Sequence, residues 1–237
     1  MLGCGVCVRL SLTMERDAVE EALGTSLPEG FPSGFSHVCA YTRPKVGVLF
    51  HRRRSVLPGV ARWGLVILQG AGRETVVPNA RWETLSERPL FRRLLERGER
   101  CVLVVDGFYE TLRRYGVVYP LYCRKRAGGL FFLAGLLDVG EGRGKASRCV
   151  VLTRSPRRGE RGLFPWPRVP CILEQGELGS WIMEGRLTSE GPFLDEYEVY
   201  PVRDHILKDP SYRGADATTP FRYSGLESPD LFDEKRS

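Results

Sequence analysis

Cys4 and Cys7 stand with two residues between them, the spacing of half a zinc site or of a redox pair. No second pair follows and the three histidines are scattered, so this spacing predicts no metal site. Gly140 to Lys145 resembles a phosphate-cradling loop, but it lacks the Gly-Lys-Ser/Thr ending and the helix that such a loop opens. There is no Gly-x-Ser-x-Gly elbow and no zincin helix. What is left is a polar set: Asn79-Ala80-Arg81 with Glu83 and Thr84 just ahead of a predicted helix, and Glu110 directly after an apolar run. Singly these read as a turn residue, a helix start and a carboxylate at a strand end. Together they form a candidate site.

The elements that must carry this set follow from periodicity. Cys7 to Leu12 alternates as a strand, and Thr13 is placed to cap a helix through Leu23. Strands are predicted at His37 to Tyr41, Val46 to Phe50 and Trp63 to Leu68. Ser86 is read as the cap of a helix through Glu96, with Leu90, Phe91, Leu94 and Leu95 on one face and Gly98 as its stop. Further strands are predicted at Cys101 to Val105, Val117 to Cys123, Leu130 to Leu137, Cys149 to Thr153, Cys171 to Leu173 and Tyr197 to Val202, with a short helix around Leu178 to Met183. Gly140 to Lys145 is read as a hairpin loop, not a linker, and no repeat appears. The expected fold is α+β: a single mixed, strand-rich domain with a few flanking helices over residues 7–212. Residues 1–6 are set apart as a candidate leader, and 213–237 as a polar tail expected to be disordered.

The 237 residues are 42% hydrophobic and 27% charged, enough for one core. No apolar run approaches the roughly 18 residues of a membrane helix, and the N-terminus has no signal-peptide core. Seven scattered cysteines suit reduced thiols, with no disulfide framework expected. Thirty-five Lys+Arg against 29 Asp+Glu leave a formal charge of +6, concentrated in arginine clusters such as Arg52-Arg53-Arg54, Arg92-Arg93, Arg113-Arg114 and Arg157-Arg158. Guanidinium forks match phosphate, so a nucleic-acid partner is expected.

Six ordered segments then resemble the SRAP family, proteins of the SOS-response-associated peptidase fold that cross-link to abasic sites in single-stranded DNA. They are Cys7-Val8-Arg9-Leu10, Trp63-Gly64-Leu65, Asn79-Ala80-Arg81-Trp82-Glu83-Thr84, Arg100-Cys101 through Gly107-Phe108-Tyr109-Glu110, Leu133-Ala134-Gly135-Leu136, and Arg168-Val169-Pro170. The resemblance implies capture of the ring-opened aldehyde by the α-amine of an N-terminal Cys7, followed by closure of a thiazolidine through its thiol. An α-amine with a pKa of roughly 7.7 to 8.0 is already partly neutral at pH 7. By the same resemblance Asn79 positions the sugar or amine, Arg81 holds phosphate and Glu110 shuttles protons. Arg9 and Arg168 are structural or phosphate-binding, and Tyr41, Trp63 and Trp166 are candidates for the DNA face. Single-stranded and abasic-site DNA are the expected partners of a monomer with no cofactor and no membrane, cytoplasmic in a bacterium and nuclear in a eukaryote.

The sequence departs from the family pattern at three points. Met1-Leu2-Gly3-Cys4-Gly5-Val6 precede Cys7, so its amine is free only if they are removed or translation starts later. Trp166 stands where the family has a histidine, with His37, His51 and His205 as possible spatial substitutes. Gln69 stands near the place of a second family tryptophan. Two readings therefore remain beside covalent capture: a non-covalent single-strand-binding module, and a thiol autopeptidase acting only on its own leader.

Overall fold

The computed structural model describes residues 7–53, 55–70, 72–140, 146–187 and 194–226. The leader, most of the glycine-rich loop and the end of the tail (residues 227–237) lie outside the described residues.

In chain order the first eight strands are β1 (Arg9–Leu12), β2 (Phe35–Cys39), β3 (Lys45–Arg52), β4 (Ser55–Trp63), β5 (Leu65–Gln69), β6 (Arg73–Val77), β7 (Asn79–Arg81) and β8 (Arg100–Val105). They are followed by β9 (Gly107–Arg114), β10 (Val117–Lys125), β11 (Phe131–Asp138), β12 (Arg148–Arg154), β13 (Val169–Pro170), β14 (Ile172–Leu173) and β15 (Tyr197–Pro201). Among the described residues three α-helices accompany them: α1 (Arg16–Leu23), α2 (Pro89–Glu96) and α3 (His205–Lys208).

The run Cys101–Val105 is buried on both faces, and β8 lies mid-sheet, paired with β3 and β11. Cys101, Leu103 and Val105 face one core cluster, while Val102 and Val104 face another. The large sheet runs β13-β12-β4-β3-β8-β11-β14, with β7 parallel to β12. A further pairing of β11 with β12 closes the circuit β12-β4-β3-β8-β11. Gly135 belongs to this crowded stretch, since a Cβ there would lie 2.6 Å from the Val150 carbonyl oxygen.

The small sheet runs β15-β10-β9-β1-β2. Its inner face meets the large sheet through Val8, Leu10, Val38, Phe108, Leu121 and Tyr197. The other face of the large sheet is covered by Val19 of α1, Leu94 of α2 and Trp181. The outer face of the small sheet carries Tyr109 and Tyr122 beneath Ile206 and Ala217. One strand-rich α+β domain results.

Several boundaries differ from expectation. Asp106, not Thr13, organises the approach to α1: its carboxylate accepts from Thr13 N and Thr13 Oγ1, each at 2.5 Å, and from Ser11 Oγ at 2.7 Å. Ser86 lies in a 3-10 turn over Trp82–Glu87, and α2 begins at Pro89, whose fixed φ suits a first helical position. The helix around Leu178 to Met183 is a π-turn at Ser180–Glu184. The expected tail divides: residues 213–226 fold back, with bridges Val202–Pro220 and Tyr223–Leu226 and with Ala217 and Leu226 buried. The six described cysteines are free and buried. No described helix is long and apolar enough to cross a membrane.

Candidate active site

Glu110 is not a carboxylate at a strand end. β8 ends at Val105, Asp106 is a bend, and Gly107 opens β9, which carries Glu110 at its centre, opposite Leu121 of β10. Two residues beyond Phe108, Glu110 shares the inner face of the small sheet. β1 enters antiparallel to β9, with Arg9 opposite Tyr109 and Leu10 opposite Phe108. That register delivers Cys7 to Glu110, whose Oε1 accepts a short hydrogen bond from the Cys7 backbone N–H. Cys7 is fully buried and held at a φ of 49°, an uncommon value for a side chain with a Cβ.

The electrostatics follow from enclosure. Burial pushes the Glu110 carboxyl up to about 8, against the opposing pull of the Cys7 and Thr111 N–H groups and of Arg9. Burial also raises the Cys7 thiol well above its ordinary value, with Glu110, Cys123 and Cys171 adding to the effect. At neutral pH a protonated carboxyl and a neutral thiol therefore surround one backbone nitrogen.

Asn79 arrives from β7, paired with Val151 of β12. Ala80 joins the cluster under the helices, whereas Val151 belongs to the inter-sheet cluster that also holds Cys7. Strand alternation therefore turns Asn79 toward the Cys7 side of the sheet. Trp63 fixes this strand from the inter-sheet core: its Nε1 donates to the Pro78 carbonyl at 3.0 Å, and Val151 N donates to the same oxygen at 3.0 Å. Arg81 is exposed and lines a cleft of about 550 Å3 together with Asn79, Thr84, Arg88, Leu90 and Phe91. Tyr41, half-buried, sits in the turn after β2 where Ala40 N donates to Val8 O, one residue from Cys7.

The remaining candidates are placed elsewhere. Trp63 and Trp166 are buried in the inter-sheet core, so neither offers a free face to a base. Trp166 stacks on Phe164 at 5.8 Å and meets the edge of Phe108, filling the wall beside Glu110's strand. Arg168 is held by Glu83 and by the Thr153 carbonyl, and Glu83 also accepts from Ser155 N. Arg168 is thus a positioning residue that ties the loop before β13 to the turn after β7. Arg9 lies between inward-facing Val8 and Leu10, so it points to the outer face and donates to the Ile206 carbonyl at 3.1 Å. Of the histidines, His37 is buried on that outer face against Tyr212 O, where desolvation lowers it to about 4. His205, on α3, faces Asp216, and His51 lies near the far end of β3.

Residues 6–208 match the family model for SOS response associated peptidases. The chain belongs to the SRAP family. Among its SRAP relatives, abasic site processing protein YoqW of Bacillus subtilis is 29% identical over 186 residues, covering 75% of this chain and 80% of its own. Abasic site processing protein HMCES of Mus musculus is 25% identical over 160 residues, covering 52% and 44% respectively. In fold, a protein from Bacteroides thetaiotaomicron superposes with a TM-score of 0.67 at 19% identity, over 91% of this chain and all of the other. A Bordetella bronchiseptica protein gives 0.66 at 19% identity, over 83% of this chain and all of its own. Two structural roles are not marked in the sequence: Glu83 holds Arg168 and the Ser155 amide, and Asp106 holds Ser11 and Thr13.

Proposed function

We propose that this SRAP protein processes abasic sites in single-stranded DNA by covalent capture through Cys7. The observation that carries the reading is the Cys7 nitrogen held on the Glu110 carboxyl. Once that nitrogen is an α-amine, it attacks C1′ of the ring-opened sugar and forms a carbinolamine. Glu110, protonated near neutrality, gives its proton to the departing hydroxyl and takes one back from the nitrogen, and water leaves a neutral Schiff base. The Cys7 thiol then adds across the C=N bond, its proton ending on nitrogen, and the thiazolidine closes with a net loss of one water. Asn79 orients the sugar, and Arg81, exposed two residues along the same strand, meets a phosphate. The reaction requires loss of residues 1–6 or a later start, because Val6 precedes Cys7 in the sequence.

A second reading rests on Trp166, which supplies no acid or base where the family has a histidine. In that reading the fold binds single strands without bonding to them. Intact-mass measurement before and after incubation with an abasic oligonucleotide, under denaturing conditions, separates the two. Covalent capture is expected to give a protein beginning at Cys7 that gains the oligonucleotide mass less one water, and Cys7→Ser loses the adduct. A retained leader with no added mass, or an adduct that survives in Cys7→Ser, overturns it.

A further inference from the structure

The β9–β10 hairpin turns on two residues, Tyr115 and Gly116, between the paired Arg114 and Val117. Both have positive φ, 49° and 76°, as a two-residue turn matched to strand twist requires. Glycine suits the second position. Tyrosine does not suit the first, where asparagine, aspartate or glycine is favoured and a bulky side chain is an outlier. Burial does not offset that strain, because Tyr115 is 85% exposed. Arg113 beside it is exposed as well, and Val117 is 49% exposed. A ring held open to solvent on an unfavourable backbone points to a function at that place.

Its position says which one. β9 carries both Glu110 and the turn, five residues apart, or about 16 Å of extended chain. Ser11 lies opposite Gly107 and Arg9 opposite Tyr109, so β1 runs toward the tip as it approaches Cys7. The turn therefore lies at the end of β9 toward which β1 leads back to Cys7, and alternation from Tyr109 puts Arg113 on the outer face of the small sheet there. An exposed aromatic next to arginine is the pairing that binds single strands without sequence preference.

We propose that Tyr115 is a stacking platform for an intact base of the single strand flanking the captured residue, with Arg113 on the adjoining phosphate; this rests on the abasic-site reading above. The test is fluorescence anisotropy with an intact fifteen-nucleotide thymidine strand at fixed salt. Tyr115→Ala is expected to weaken binding about tenfold. Tyr115→Trp keeps the affinity and its indole emission is quenched by the strand. Tyr115→Asn, the better turn residue, raises Tm yet binds as weakly as Tyr115→Ala. Met183→Ala, an exposed apolar change on the π-turn, binds as the parent does. Parent-like affinity in Tyr115→Ala and Tyr115→Asn overturns the platform. If the parent still captures an abasic strand in that case, the capture reading stands alone; if the parent neither binds nor captures, both fall.

Discussion

Trp63 and Asn79 are coupled through one carbonyl: the Trp63 indole and the Val151 amide both donate to Pro78 O, the residue before Asn79. The tryptophan that opens the Trp-Gly-Leu motif thus acts from inside the core on a strand that carries two candidate site residues.

Trp63→Phe keeps most of the buried ring but removes the indole donor. A stability loss of about 1–3 kcal/mol is expected, from the missing bond and the smaller volume. Faster exchange of the Ala80 amide by NMR, beyond what global destabilisation explains, marks the loosened β7. Unchanged exchange at Ala80 would separate Trp63 from the site.

Glu110 ties stability to pH. Its folded value of about 8 lies above the ordinary 4.5, so the folded chain keeps a proton that the unfolded chain releases between those values. The stabilisation is full below about pH 4.5 and is lost as pH rises to about 8. Glu110→Gln keeps an oxygen acceptor for Cys7 and removes the titration. Its Tm is expected to gain on the parent steadily from pH 5 to pH 8, and parallel profiles would show that Glu110 is not protonated when folded.

Arg154 and Glu160 form a nearly enclosed bidentate pair, with 12% and 5% of their side chains exposed. Glu160→Ala leaves a buried guanidinium unpaired, at an expected cost of about 3–5 kcal/mol in denaturant titration. The double change Arg154→Met with Glu160→Leu is expected to recover most of that loss.

Glu83 is held down to about 2: burial opposes the shift, and the bonds from Arg168 and from the Ser155 amide outweigh it. Its contribution is present above about pH 4.5 and is lost as pH falls toward 2. Glu83→Gln is expected to lower Tm at pH 7 modestly, the side chain being 42% exposed, and to match the parent near pH 2.

Legibility tracked burial on two faces. Cys101–Val105 could be read directly because five consecutive apolar residues leave no other role. β4 could not: it follows an arginine run, begins exposed and contains Pro58, tolerated because β12 pairs with β4 only at Arg62 and Trp63. β9 was hidden by Glu110, Arg113 and Arg114, charges that suggest a loop until Cys7 and the hairpin account for them. The motif residues Cys7, Asn79 and Glu110 could be named from the chain, but not which tryptophans face inward. Trp63 and Trp166 have identical chemistry in an exposed or a buried place, and only the packing of Phe108, Phe164 and the Pro78 carbonyl decides it.

The bond between Cys7 and Glu110 spans 103 positions. Contacts of such long sequence separation form slowly, since loop closure must precede any gain from pairing. A ribosome adding about 5–20 residues each second leaves Cys7 without its carboxylate for many seconds. Any trimming of the chain ahead of Cys7 during that interval would act on an N-terminus that has not yet been enclosed. The order of synthesis therefore leaves the stretch ahead of Cys7 accessible before the enclosure around Cys7 and Glu110 assembles.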